Sequence, residues 1–248
     1  MGIRACDGAV VTDIVLCTKD RLALLTRTLT CLFERTTSPY RLHVIDDAST
    51  DGTAAYLMEL QGQGMIDVLA LRRHTMPVLA NWNDAAMLAE SDVLVFTEDD
   101  ALCPALEPDW LARGLAAMAA HPSLGLMALN NPSCRHVRRL KGQDGEVMLC
   151  DRIGAQFAFV RRDVMRRIVI PPVGGRLEGI RIVADGHNLD RAWCRAVWAA
   201  GYEVGYLRDV YTQHTGAVSR RNGADIGATL ITAIDPATLE PVDADQRG

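Results

Sequence analysis

The sequence predicts an α/β fold: one domain on a Rossmann-like, mostly parallel central sheet with helices on both faces, followed by a less regular C-terminal half. Three observations predict it. Strand-like and helix-like periodicities alternate four times over the first hundred residues, the pattern of consecutive βαβ units. The strand-like runs are β-branched and continuously apolar, as strands covered on both faces must be. The chain has 248 residues, 49% hydrophobic and 23% charged, which suits one domain (1–248) able to bury a large core and excludes disorder for its bulk.

The elements follow in order. Val10 to Leu16 reads as a buried strand. Leu22, Leu25, Leu29, Leu32 and Phe33 recur at helical spacing, with Thr18 or Asp20 as the expected cap. Leu42 to Ile45 is a second strand that stops at Asp46-Asp47. Ser49 to Gly52 is turn chemistry, and Tyr56, Leu57 and Leu60 continue as an amphipathic helix. Ile66 to Leu71 is a third strand, Val78 to Glu90 a helix, and Asp92 to Thr97 a fourth strand ending at Glu98-Asp99-Asp100. This block, 10–101, closes the regular half. In 102–220 the expected pieces are a helix from Trp110 to Ala120, strands at Leu124–Leu129, Val147–Cys150, Gln156–Val160 and Glu203–Leu207, and a helix from Leu189 to Ala200 stopped by Gly201. Asn130 to Gly145 and Pro171 to Gly186 read as loops, and 225–248 as a loose tail.

Composition narrows the functional classes. No apolar run reaches the length of a membrane span, and the first residues lack a signal-like apolar core. Seven cysteines with no CxxC pair argue for reduced thiols in the cytoplasm over a disulfide framework or a zinc knuckle. Net charge is −5, yet Arg135 to Arg181 holds eleven Lys and Arg against five Asp and Glu. That stretch is either a solvated surface, the preferred reading, or a contact for a polyanion. No glycine-rich loop follows the first strand, which disfavours a nucleotidyltransferase and a dinucleotide-dependent dehydrogenase.

The chemistry lies in where the carboxylates fall. Asp46-Asp47 and Glu98-Asp99-Asp100 end two strands expected to be parallel, and ligands of open parallel sheets bind beyond the carboxyl ends of the strands. Acidic groups gathered there can hold a hard divalent cation, Mn²⁺ or Mg²⁺, which in turn holds phosphate oxygens, so a nucleoside diphosphate is the natural guest.

The runs VTDIVLCTKDRLALLTRTLTCLF, LHVIDDASTDGTAAYL and LANWNDAAMLAESDVLVFTEDDA resemble family-2 glycosyltransferases of the GT-A fold, mostly inverting enzymes that use nucleotide sugars. Asp46, Asp47, Ser49, Asp51 and Thr53 match the family's second motif, and Glu98-Asp99-Asp100 its acidic triplet with Glu in the first place. The resemblance implies that Thr18 and Asp20 line the base pocket, that Asp46 or Asp47 meets the base or ribose, that Asn83 belongs to the nucleotide-sugar site, that Glu98 or Asp99 faces the nucleotide, and that Asp100 holds the metal.

Further along, LDRAWCRAVWAAGY is similar to the family helix that carries the general base, which implies Asp190 in that role, with Asp185 as competitor and helix capping as the structural alternative. His214, or more weakly His187, corresponds to a family histidine that completes the metal shell. Gly154 to Phe157 resembles a segment approached by donor or acceptor, and Trp82, Trp110 and Trp193 read first as packing. The partners so implied are a nucleoside-diphosphate sugar and an acceptor hydroxyl, carried on an anionic glycan, lipid phosphate or modified DNA if the basic stretch takes part. The rival from another class is a nucleotide- or carbohydrate-binding protein without turnover, because Leu189 and Ala192 replace acids of the family pattern.

Overall fold

The computed structural model describes residues 11–76, 78–132, 138–168 and 189–215, and two short strand pairings further on, Arg220–Arg221 with Ala224–Asp225 and Ala233–Ile234 with Pro241–Val242. The regular half is β1 (Thr12–Thr18), α1 (Leu22–Arg35), β2 (Tyr40–Asp46), α2 (Thr53–Gly62), β3 (Val68–Leu71), α3 (Val78–Leu88) and β4 (Val93–Glu98). Its strands lie in the order β3-β2-β1-β4 and are all parallel. Then come β5 (Ala101–Leu102), α4 (Trp110–Ala120), β6 (Leu124–Asn130), β7 (Leu140–Asp144), β8 (Val147–Cys150), β9 (Ala158–Arg161), α5 (Arg162–Ile168), α6 (Leu189–Ala199), β10 (Glu203–Tyr211) and β11 (Gln213–His214).

The nine-stranded sheet continues β4-β9-β6-β10-β8-β7, and only β9 and β8 run against the rest. β5 and β11 form a separate antiparallel pair beside the carboxyl end of β4.

Alternation along β1 sorts the core into two layers. Ile14 and Leu16 face one side and pack in a cluster with Leu25 and Leu29 of α1, Leu57 of α2 and Trp110 of α4. Val15 faces the other, in a cluster with Trp82 of α3, Val164 of α5 and Trp193 of α6. Helices therefore cover both faces, which is why the strands lack a polar side. Each fully buried aliphatic side chain of β1 contributes about 1.5–3 kcal/mol relative to exposure.

Several expectations are corrected. Residues 130–145 are not all loop: Leu140–Asp144 forms the fully exposed edge strand β7, joined to β8 by a tight turn in which Gly145 takes φ +58°. The α1 amino terminus is not capped by Thr18 or Asp20. The backbone N–H of Leu22 donates to Asp51 Oδ2 (3.0 Å) across the motif, whereas Thr18 and Asp20 bond elsewhere. β10 runs on to Tyr211, and the strand expected at 156–160 is displaced to 158–161. Arg161 ends β9, and its guanidinium donates to the carbonyls of Met118 on α4, of His121 just after it and of Leu124 at the start of β6. Gly201, with φ +86°, ends α6 as expected. The Pro171–Gly186 loop, Asp185, His187 and most of 225–248 lie outside the described residues.

Candidate active site

Parallel register brings the acids together. Thr18 stands opposite Asp46, and Cys17 opposite Glu98, so β1, β2 and β4 end at one level. Beyond that level lies a cavity of about 620 Å³, lined by Thr18, Lys19, Arg21, Asp47, Asn81, Glu98, Asp99, Asp100, Gln156 and His214, among others. Asp47 and Asp100 thus share one crevice, as the sequence requires. The crevice rests on an aromatic layer of Trp82, Phe96 and Trp193, whose ring centroids are 5.0–5.4 Å apart.

Three residues offer cation ligands. Atoms of Glu98, Asp100 and His214 lie within 4.8 Å of one another. His214 Nε2 is 3.1 Å from Asp100 Oδ1, and that buried oxygen has no hydrogen bond. The β5–β11 pairing sets this geometry, because His214 is the register partner of Ala101, next to Asp100. Two carboxylates, one of them with an orphaned oxygen, and one imidazole fit a divalent cation such as Mn²⁺.

The remaining acids are tied down. Asp99 accepts from Thr18 Oγ1 (2.7 Å) and Arg21 Nη1 (3.0 Å), and the same guanidinium nitrogen donates to Asp100 Oδ2 (2.6 Å). Gln156 bridges Glu98 Oε2 and Asn131 Nδ2. Burial pushes Glu98 up to about 8, with the charges of Asp100 and Asp190 adding to the effect. Asp100 moves the other way: burial is outweighed by His214 and Arg21, which lower it, and Asp100 in turn raises His214.

Asp190, half-buried in the first turn of α6, is pushed up to about 6 by burial against the opposing charges of Arg152 and His214. A carboxyl so placed is ionised at neutral pH yet more basic than an ordinary aspartate, the property a general base needs.

The structure thus gathers Thr18, Asp47, Glu98, Asp99, Asp100 and His214 around the cavity, with Asp190 near enough for its charge to act on Glu98. Three other residues are placed differently. Asp46 lies behind the wall, where its Oδ2 accepts from Ser49 N. Asp20 staples the following turn by accepting from Thr50 N (2.6 Å). Asn83 is buried on α3 outside the cavity lining, and its neighbour Asn81 instead reaches Asp47 Oδ1 (3.2 Å). Arg21 and Asn81 are cavity residues that the sequence reading did not single out, and Lys19 and Gln156 line the cavity from segments it matched to the family without giving either residue a role. Among the described residues, the non-glycine residues with left-handed backbone are Asp20, Ala48 and Phe157. Each adjoins a residue that lines the cavity, which is where such strain is found when a site over-determines its backbone. Trp110 and Trp193 are core residues, and Trp82 closes the cavity floor.

The chain is similar to a known family and to several solved structures. The family model described as Glycosyl transferase family 2 matches residues 13–164. Similar solved structures include the mannosyltransferase PcManGT from Pyrobaculum calidifontis in complex with GDP-Man and Mn²⁺ (18% identity, 86% of this chain and 58% of that one, TM-score 0.63). Others are GalNAc-T7 with UDP, GalNAc and Mn²⁺ (12%, 90% and 46%, 0.63) and S. aureus TarS 1-349 in complex with UDP-GlcNAc (14%, 86% and 60%, 0.55). At these identities the likeness shows the fold, which is GT-A. The chain spans about half the length of these proteins. No curated protein matches it.

Proposed function

The chain belongs to glycosyl transferase family 2, and we propose that it moves a sugar from a nucleoside-diphosphate sugar to an acceptor hydroxyl, with inversion and with a divalent cation, Mn²⁺ or Mg²⁺. The observation that carries the proposal is the convergence of Glu98, Asp100 and His214 with Asp47 on one cavity at the carboxyl edge of the sheet.

Asp47, oriented by Asn81 and by the backbone N–H of Met76 (2.7 Å), meets the base or ribose together with Thr18. Asp100 and His214, with Glu98 beside them, hold the cation. When bound, it neutralises charge developing on the departing diphosphate. Arg21 fixes the Asp99 and Asp100 carboxylates before any ligand arrives, so little reorganisation remains for the reaction. Asp190 accepts the proton of the acceptor hydroxyl as that oxygen attacks the anomeric carbon, and Asp185 is the competing base.

The three similar solved structures are complexes with GDP-Man, with UDP and GalNAc, and with UDP-GlcNAc, which supports a nucleotide sugar while dividing on base and sugar. Two cations of the basic stretch are committed within the protein: Arg161 to backbone carbonyls, and Arg138 to Asn130 Oδ1 and the Asn131 carbonyl. This favours an ordinary hydroxyl acceptor over a polyanion. Free thiols at Cys17, Cys31, Cys103, Cys150 and Cys194 favour a reducing, cytoplasmic setting. No helix among the described residues is long and apolar enough to cross a membrane.

The test is a thermal-shift screen of nucleoside-diphosphate sugars with and without Mn²⁺, followed by release of the nucleoside diphosphate. A Mn²⁺-dependent shift with release of diphosphate is expected. Binding without release from any donor would favour a non-catalytic binding protein, and no Mn²⁺-dependent binding would overturn the reading.

A further inference from the structure

The glycosyl-transfer reading makes no use of a pair of thiols that meet behind the acidic triplet. Cys31 lies on α1, and Cys103 follows β5, three residues after Asp100. Their sulfurs are 3.7 Å apart across 72 residues of sequence. The two segments are tied together by other bonds as well: Cys31 Sγ donates to the Cys103 carbonyl (3.4 Å), Arg35 Nη1 donates to that carbonyl (2.8 Å), and Thr28 Oγ1 donates to the Asp99 carbonyl (2.9 Å).

We propose that Cys31 and Cys103 are an oxidisable dithiol, a modification site for peroxide that closes into a disulfide joining α1 to the strand pair carrying His214. The sulfurs are already in contact, and a bond of about 2.0 Å needs them to close by under 2 Å, within reach of side-chain rotation and a small shift of α1. Access is asymmetric, since Cys31 keeps 7% exposure and Cys103 only 1%, so a small oxidant meets Cys31 first.

The chemistry balances. The Cys31 sulfur attacks one peroxide oxygen, the O–O bond breaks, and the second oxygen leaves as hydroxide, which takes up the proton that the Cys31 thiol gives up and becomes water, giving a sulfenic acid. The Cys103 sulfur then attacks the Cys31 sulfur, the S–O bond breaks, and the Cys103 proton leaves with the hydroxyl as a second water. Sulfur is oxidised and peroxide is reduced. The side-chain hydrogen bond with Cys103, opposed by burial and helped by nearby Arg35, lowers Cys31 to about 7, the direction that favours attack by its sulfur. Burial raises Cys17, Cys103, Cys150 and Cys194 instead, which leaves Cys31 the more nucleophilic thiol among the described residues.

The experiment uses the full chain, folded and reduced, treated with a small excess of hydrogen peroxide, then alkylated in denaturant and mapped by peptide mass spectrometry. The expected product is a peptide pair joining Cys31 to Cys103, short by two hydrogens, which dithiothreitol reverses. In Cys103→Ser the expected product is a stalled Cys31 sulfenic acid that dimedone captures. Alkylation of both thiols after peroxide, or cross-links that join other cysteines in their place, would overturn the proposal.

Discussion

The two ends of the paired strands β1 and β4 meet comparable groups to opposite effect. At the amino end, Asp13 is fully buried beside His43. Its two oxygens accept from Arg41 Nε (2.8 Å) and Nη2 (3.0 Å), His43 Nε2 (2.8 Å), and the backbone N–H groups of Glu90 (2.7 Å) and Ser91 (2.8 Å). Burial alone would raise this carboxyl, but these donors outweigh it and hold Asp13 well below the usual carboxylate range. At the carboxyl end, Asp100 is equally hidden and faces His214, but one of its oxygens has no hydrogen bond and a cavity opens beside it. The lesson is that an Asp–His pair is structural or functional according to whether its acceptor sites are filled. Both pairs set a buried acid against a histidine, His43 buried and His214 half-buried at the cavity, and only the second leaves room for a ligand.

The largest effect should come from the unfilled end. Asp100→Ala should abolish the Mn²⁺-dependent rise in melting temperature and lower transfer on the order of 10³-fold, whereas melting without metal should change little. An undiminished Mn²⁺ response would assign the cation elsewhere and erase the contrast. Next, Asp190→Asn should retain donor binding and lose transfer roughly 10²-fold. In the parent protein the transfer rate should fall as pH drops through about 6, because the protonated Asp190 carboxyl no longer accepts the acceptor's proton. A flat profile from pH 7 to 5 would remove Asp190 from the base role.

The same contrast explains what was legible in the sequence. The parallel block could be read because its strands are mostly apolar runs, and two of them, β2 and β4, break at acid clusters. Asp47 and Asp100 could be placed on one edge because parallel strands end together. Arg21 and Gln156 could not be read, because their bonds to Asp100 and Glu98 join positions 79 and 58 apart and depend on loop geometry. β5 and β11 are two residues each, too short for any periodicity, yet their pairing delivers His214. β7 has every residue exposed, so no apolar alternation announces it. Asn81 and Asn83 sit two apart on α3 and so face different ways. Choosing between them needs the rotation of the helix, which only packing supplies.

The filled end should respond in stability alone. Asp13→Asn leaves Arg41 and His43 with a weaker partner in a buried place and should destabilise folding by about 3–5 kcal/mol in urea titrations, with Mn²⁺ binding unchanged in the folded fraction. The pH dependence has a definite sign. The folded Asp13 titrates below its unfolded value of about 4, so its contribution is complete above that value and is lost as pH falls toward the folded one. The variant should therefore lose less stability than the parent between pH 5 and 3, and parallel curves would show that Asp13 is not the group responsible.

The smallest effect sharpens the comparison most, because it separates position from satisfaction. Asp51 stands at the functional edge within the motif that resembles the nucleotide site, yet it does not line the cavity. Its Oδ2 accepts from Leu22 N at the start of α1, and its Oδ1 accepts from Thr53 N (3.1 Å) and Thr53 Oγ1 (2.5 Å) at the start of α2. One side chain thus serves the amino ends of two helices, and a carboxylate also suits the positive end of each helix dipole. Asp51→Ala should cost about 1–2 kcal/mol in unfolding and leave the Mn²⁺ response intact, since each lost cap is worth roughly 1 kcal/mol. Because α1 begins beside Arg21, a donor KM raised severalfold at unchanged kcat would mean that the cap also positions the clamp on Asp99 and Asp100. Satisfied carboxylates at this edge would then act on the site through the helix they hold.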